Sequence, residues 1–135
     1  MTFEESLSAL KGTSVVVSPG IDFLEPGVAP IQMLFANGTR LRAEYWRLVK
    51  EAKPSLTSFD HRVKYGLPEP IDAVKTLQET LQDKRVTNAL LDNKTGDLVF
   101  EFAGNTVLQV FAFTGYEDWD ILFPDRTGQY SNYLR

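Results

Sequence analysis

Leu34-Phe35-Ala36-Asn37-Gly38-Thr39-Arg40-Leu41-Arg42 can be set against Glu101-Phe102-Ala103-Gly104-Asn105-Thr106-Val107-Leu108-Gln109. The pattern Phe-Ala, an Asn/Gly pair, Thr-x-Leu occurs twice, at an offset of 67 residues from Phe35 to Phe102. Each copy reads as a β-hairpin. Asn and Gly tolerate the positive φ values of a tight turn, and Asn37-Gly38 matches a type I′ turn. Leu41, Ala43 and Tyr45 alternate with Arg40, Arg42 and Glu44, the two-residue period of a strand with one buried and one wet face. That alternation puts Trp46 on the charged face with Arg42 and Glu44.

Working outward, a strand and a helix precede each hairpin. Val15-Val16-Val17 is a β-branched run that reads as a buried strand. Before it, Thr2 and Glu5 have capping-box spacing, Phe3, Leu7 and Leu10 share a helical face, and Gly12 fits as the terminating residue. In the second half, Ile71, Val74, Leu77, Gln78 and Leu81 trace a stripe at helical spacing, predicting a helix over 70–83 that starts at Pro70. Val86–Leu91, Asp97–Phe102, Thr106–Phe113 and a strand around Trp119-Asp120-Ile121 then form a β-meander.

These elements predict one α+β domain over 1–135, with two antiparallel β-meanders packed with two short-to-medium helices. Internal duplication would give pseudo-repeats at about 1–66 and 67–123. Two unrelated hairpins with Asn/Gly turns would look alike as well. The Pro- and Gly-rich stretch 18–30 reads as a loop. Lys50–Pro54 reads as a break, Leu56–Phe59 as a short strand, and 124–135 as a polar tail, mobile unless its tyrosines dock.

The chain has 135 residues, 43% hydrophobic and 12% aromatic, enough for a core without metal or disulfide staples. It contains no Cys, so disulfides, thiolate metal sites and a Cys nucleophile are excluded. The acidic start shows no signal peptide and no apolar run approaches a membrane span, so a cytoplasmic protein without membrane association is expected. The net charge of −4 argues against nucleic acid as partner. Charge is also uneven. Residues 40–64 hold Arg40, Arg42, Arg47, Lys50, Lys53, Arg62 and Lys64 against Glu44, Glu51 and Asp60, whereas 115–125 hold Glu117, Asp118, Asp120 and Asp125 without a base.

No catalytic motif is present, and no catalytic residue, metal ligand or cofactor is assigned. His61 is the only histidine, and its neighbour Asp60 would point to the opposite face of a strand. The acids of 117–128 lack the ligand spacing of an EF-hand. Arg40–Arg47 interleaves bases and aromatics, but only one aromatic shares the charged face.

The segment Tyr116-Glu117-Asp118-Trp119-Asp120 combines aromatic anchors with carboxylates, as a surface toward a basic protein partner would. Alternatively, Tyr116 and Trp119 are core residues and the acids are a solvated face. The run Phe111–Tyr133 resembles small bacterial domains of unknown function, some of them immunity proteins that neutralise a toxin. That resemblance implies a non-enzymatic, protein-binding, immunity-type inhibitor. The alternative is a small-ligand-binding protein or enzyme with a pocket between the meanders, drawing on Arg42, Arg47 and His61. Leftover aromatic surface is also compatible with a homo-oligomer.

Overall fold

The structure is a computed structural model that describes residues 1–20 and 26–133. Part of the expected loop at 18–30 therefore lies outside the described residues. The expected α+β architecture is observed: two five-stranded antiparallel sheets and, among the described residues, two α-helices. None of these helices is long and apolar enough to cross a membrane.

The first half runs α1 (Phe3–Ser8), β1 (Val15–Pro19), β2 (Ile31–Phe35), β3 (Arg40–Ala43), β4 (Trp46–Lys50) and β5 (Lys53–Thr57). The second runs α2 (Ala73–Leu81), β6 (Val86–Leu91), β7 (Leu98–Phe102), β8 (Thr106–Val110), β9 (Trp119–Leu122) and β10 (Gly128–Tyr130). The first sheet has the order β1-β2-β3-β9-β10 and the second β5-β4-β8-β7-β6. Each half thus builds three strands of one sheet and sends its last two into the other. The halves share this order of elements but are not separate lobes.

One core fills the space between the sheets. Strand β2 buries Ile31, Met33 and Phe35, while β7 buries Leu98, Phe100 and Phe102. Phe35 meets Phe100 across the gap, with ring centroids 5.5 Å apart. Each such side chain contributes about 1.5–3 kcal/mol by leaving water. Helix α1 is capped as its sequence predicts, by reciprocal Thr2 and Glu5 bonds. Its stripe buries Leu7 and Leu10. Helix α2 buries Ala73, Val74, Leu77 and Leu81, and Gln78 donates through Nε2 to the Val17 carbonyl of edge strand β1 at 2.9 Å. An exposed row of strand carbonyls is thereby partly satisfied.

Several local expectations are corrected. Helix α2 starts after an Asp72 cap, not at Pro70, because Asp72 supplies the acceptor that Lys75 N–H needs. Helix α1 ends at an Ala9 cap, and Gly12 takes its positive φ beyond a further turn. Val16 is 66% exposed, since β1 buries only Val15 and Val17. In the first hairpin only Gly38 has positive φ; Phe35 C=O accepts from Gly38 N–H, giving a three-residue loop in place of a two-residue type I′ turn. In the second, Gly104 and Asn105 both have positive φ.

The expected run from Thr39 to Trp46 is two strands. The chain leaves the first sheet after Ala43 and enters the second at Trp46, so the alternation restarts. Trp46 is fully buried, with Nε1 donating to the Ala29 carbonyl at 2.7 Å, and does not share the charged face. The hairpin β4–β5 turns on Glu51 and Ala52, both at positive φ despite having side chains. Asn105 supports this turn, accepting from Glu51 N–H and donating to its carboxylate. Pro54 is tolerated because β5 is an edge strand.

The C-terminal segment is likewise not a loose tail. Gly128–Tyr130 pairs with β9 as β10. A 3-10 turn over Ser131–Tyr133 follows and buries Ser131.

Candidate functional site

Two short stretches carry the chain from one sheet to the other: Glu44–Tyr45 between β3 and β4, and residues 111–118 between β8 and β9. They run side by side along one margin of the sandwich. Glu44 N–H donates to the Asp118 carbonyl at 3.0 Å, and Phe111 N–H to the Tyr45 carbonyl at 2.9 Å. All five residues predicted to bind a partner lie on or beside this margin.

Their roles differ sharply. Tyr116 is 79% exposed and Glu117 is exposed. Asp118 is only 2% exposed, and its carboxylate accepts from the backbone N–H and the hydroxyl of Thr114, closing the 114–118 loop. Trp119 is fully buried, its indole donating to the Gly96 carbonyl at 2.9 Å and its ring stacking on Phe3. Asp120 is held by Arg42 Nε at 2.7 Å. Of the five, Tyr116 and Glu117 are exposed, Asp118 and Trp119 are buried, and Asp120 is half-buried in its pair with Arg42. Asp118 is on neither a partner-facing nor a solvated face, because it precedes β9 and turns inward to cap its own loop.

The fixing is dense. Arg42 reaches three groups at once: Asp120, Glu44 through Nη1 at 3.2 Å, and the Glu117 carbonyl through Nη2 at 2.8 Å. Tyr116 N–H donates to Thr114 Oγ1. Ser131 Oγ donates to the Tyr116 carbonyl and accepts from the N–H groups of Asp118 and Trp119. The loop is therefore preorganised by β3, by its own side chains and by the C-terminal turn.

Beside it lies an aromatic cluster that the sequence reading did not single out. Tyr45, Phe59 and Phe113 pack with ring centroids 5.1–5.8 Å apart. Phe113 is 64% exposed and Phe59 45%. Burial pushes the Tyr45 phenol above its usual range, and the Glu44 and Asp118 carboxylates push it further. The ring edge thus sits in a negative field. Phe59 belongs to a 3-10 turn, Ser58–Asp60, capped by Thr57 and Asp60. Tyr65 donates to Asp60 at 2.8 Å, and that bond, ahead of burial, raises the Tyr65 phenol. The signal available in sequence was the spacing of Phe113 before Gly115 and Tyr116, which places three poorly buried residues together.

The three residues of the alternative reading do not converge. Arg42 lies on the outer face of the first sheet. Arg47 lies on the outer face of the second, bonded to Gln109 at 2.7 Å and 5.7 Å from the Phe111 ring centroid. His61 sits before α2, where Nδ1 accepts from Ala73 N–H at 3.0 Å and Nε2 faces Arg62 Nε at 3.3 Å. Asp60 and His61 bond different partners. The space between the meanders is occupied by Phe35, Trp46, Phe100 and Trp119. Asp125 is turned to Thr127, whose hydrogen bonds hold its carboxyl below the usual range. Among the described residues, no three His, Cys, Asp or Glu side chains gather as a metal ion would need. No protein-family model, curated protein or solved structure is detectably similar to this chain.

Proposed function

We propose that the chain is a non-enzymatic protein-binding domain, of the immunity-inhibitor type, that occludes a basic partner with the crossing margin. The observation that carries this reading is the exposure of Phe113 and Tyr116 on a loop held rigid by Arg42, Asp118 and Ser131. Exposed aromatics on a loop that is already fixed bind without the cost of ordering its backbone, and such anchors dominate binding energy at interfaces. Glu44 and Glu117 give the rim a negative charge that selects a basic surface and speeds encounter. The same charge disfavours an isologous contact of this margin with a second copy, which would bring Glu117 against like charge. The absence of Cys accords with a cytoplasmic setting.

The test is site-specific photo-crosslinking in the native cell, with the reactive residue at Tyr116 or, as a control, at Lys94 in the β6–β7 turn. One basic protein captured at 116 but not at 94, and lost when Glu117→Lys and Phe113→Ser are added, is the expected result. The same products at both positions would end the proposal. Glu117→Lys falls on an exposed side chain, whereas Phe113→Ser gives up ring contacts with Tyr45 and Phe59 and lowers the thermal midpoint by about 4–8 °C, which leaves the domain folded at the temperature of the assay.

A further inference from the structure

The outward side chains of the first sheet form two rows across the strands. Strand register aligns Val16, Leu34, Arg40 and Leu122 in one row, and Ser18, Gln32, Arg42 and Asp120 in the other. Between them lies an open hollow of about 460 Å³. Leu34 and Leu122 flank Arg40 and are 48% and 46% exposed. Arg40 takes part in neither ion pair found among the described residues; both belong to Arg42. The hollow therefore offers two apolar contacts around an arginine that has no carboxylate partner among the described residues.

This hollow is continuous with the crossing margin. Its wall is the Arg42–Asp120 pair, and Arg42 is also the residue that holds the Glu117 carbonyl. Arg40 stands two residues further along β3, a step of about 7 Å.

We infer, resting on the reading above, that the hollow receives an extended segment of the same partner. The segment carries a basic residue at Glu117, an apolar residue over Leu34 and Leu122, and a carboxylate against Arg40. Charge complementarity fixes its direction: positive at the margin, negative over the sheet. A uniformly basic segment would meet Arg40 and Arg42 with like charge.

Fluorescence anisotropy with short synthetic peptides tests this. The set places an Arg, a Leu and a Glu at graded spacings; matched peptides exchange the Glu for Lys or the Arg for Glu. The expected result is a roughly five-fold preference for Glu over Lys at the distal position, the scale of one exposed charge pair. Arg40→Glu reverses that preference while leaving the preference for Arg at the proximal position intact. Glu117→Lys does the opposite.

A proximal preference without a distal one overturns the inference and leaves the function standing. Absence of both, or no binding by any peptide, overturns both. Self-association of the chain that Leu34→Glu abolishes would assign the hollow to a second copy and overturn the inference. Arg40 and Leu34 are exposed, and circular dichroism verifies that the variants are folded.

Discussion

Ser131→Ala is the sharpest probe of whether the C-terminal turn holds the 111–118 loop. The Ser131 hydroxyl serves three backbone groups, but their losses are unequal. Asp118 N–H lies 2.8 Å from Ser131 Oγ and also 3.0 Å from the Tyr116 carbonyl, so it keeps an acceptor in the variant. The Tyr116 carbonyl likewise keeps Asp118 N–H as a donor. Trp119 N–H, 3.3 Å from Ser131 Oγ, belongs to a fully buried residue and is left without an acceptor. One orphaned buried donor costs about 1–3 kcal/mol, and two weakened bonds add a fraction more, so the expected loss is about 2–3 kcal/mol. In a domain of this size that lowers the thermal midpoint by roughly 6–10 °C. Urea unfolding followed by tryptophan fluorescence reads the change, with Asn132→Ala in the same turn as the control. Hydrogen exchange at Trp119 N–H should accelerate with it. A loss below about 0.5 kcal/mol would mean that the terminal turn does not hold the loop, and the preorganisation argument would fail with it.

Three further outcomes follow from particular groups. Thr39 is fully buried and its Oγ1 has no hydrogen-bond partner, so Thr39→Val should leave stability unchanged or raise it by about 1 kcal/mol; a higher urea midpoint checks this, and a clear loss refutes it. A Cβ on Gly128 would stand 2.5 Å from the Ile121 carbonyl oxygen, so Gly128→Ala must displace β10 and should cost about 1–3 kcal/mol in the same measurement. Glu5 and Asp125 are held below their ordinary values of 4.5 and 3.8, chiefly by hydrogen bonds from Thr2 and Thr127. Their contributions are therefore complete above those values and are lost as pH falls through the lower folded values. NMR titration should place both midpoints below the ordinary values, and a midpoint at or above them contradicts the capping geometry.

The strands and helices were legible because their signals are local. The two Phe-Ala-(Asn/Gly)-Thr-x-Leu runs, the Thr2/Glu5 cap and the Val74-Leu77-Leu81 stripe each encode their element within a few residues. The exchange of hairpins between sheets was not legible, because a sheet crossing carries no obligatory residue type. Glu44 and Tyr45 continue the strand pattern and hide the break, so the alternation puts Trp46 on the wrong face. Hairpin β4–β5 was hidden for the opposite reason. Its turn residues, Glu51 and Ala52, hold positive φ without a Gly or Asn between them, and Glu51 is bonded to Asn105 of a distant turn. The site was half visible. An acidic, aromatic segment could be located by composition, but which of Tyr116–Asp120 face outward depends on Arg42, Thr114 and Ser131.

The difference between the two crossings bears most directly on function. Ala43 ends β3 and Trp46 begins β4, so two residues are enough to pass from one sheet to the other. Val110 ends β8 and Trp119 begins β9, and that passage uses eight. Connectivity does not require the additional residues. Fixing each costs about 1–2 kcal/mol of backbone entropy, a sum comparable with the net stability of a whole domain. Yet the structure spends the Asp118 carboxylate, the Arg42 fork and the Ser131 hydroxyl on holding them. A loop that served only to connect would be shorter or left unbonded. This one keeps Phe113, Tyr116 and Glu117 outside the core on a rigid base, and the shorter crossing adds Glu44 and the half-buried Tyr45. The proposed binding function therefore rests on the second crossing, at the residues its frame supports and does not bury.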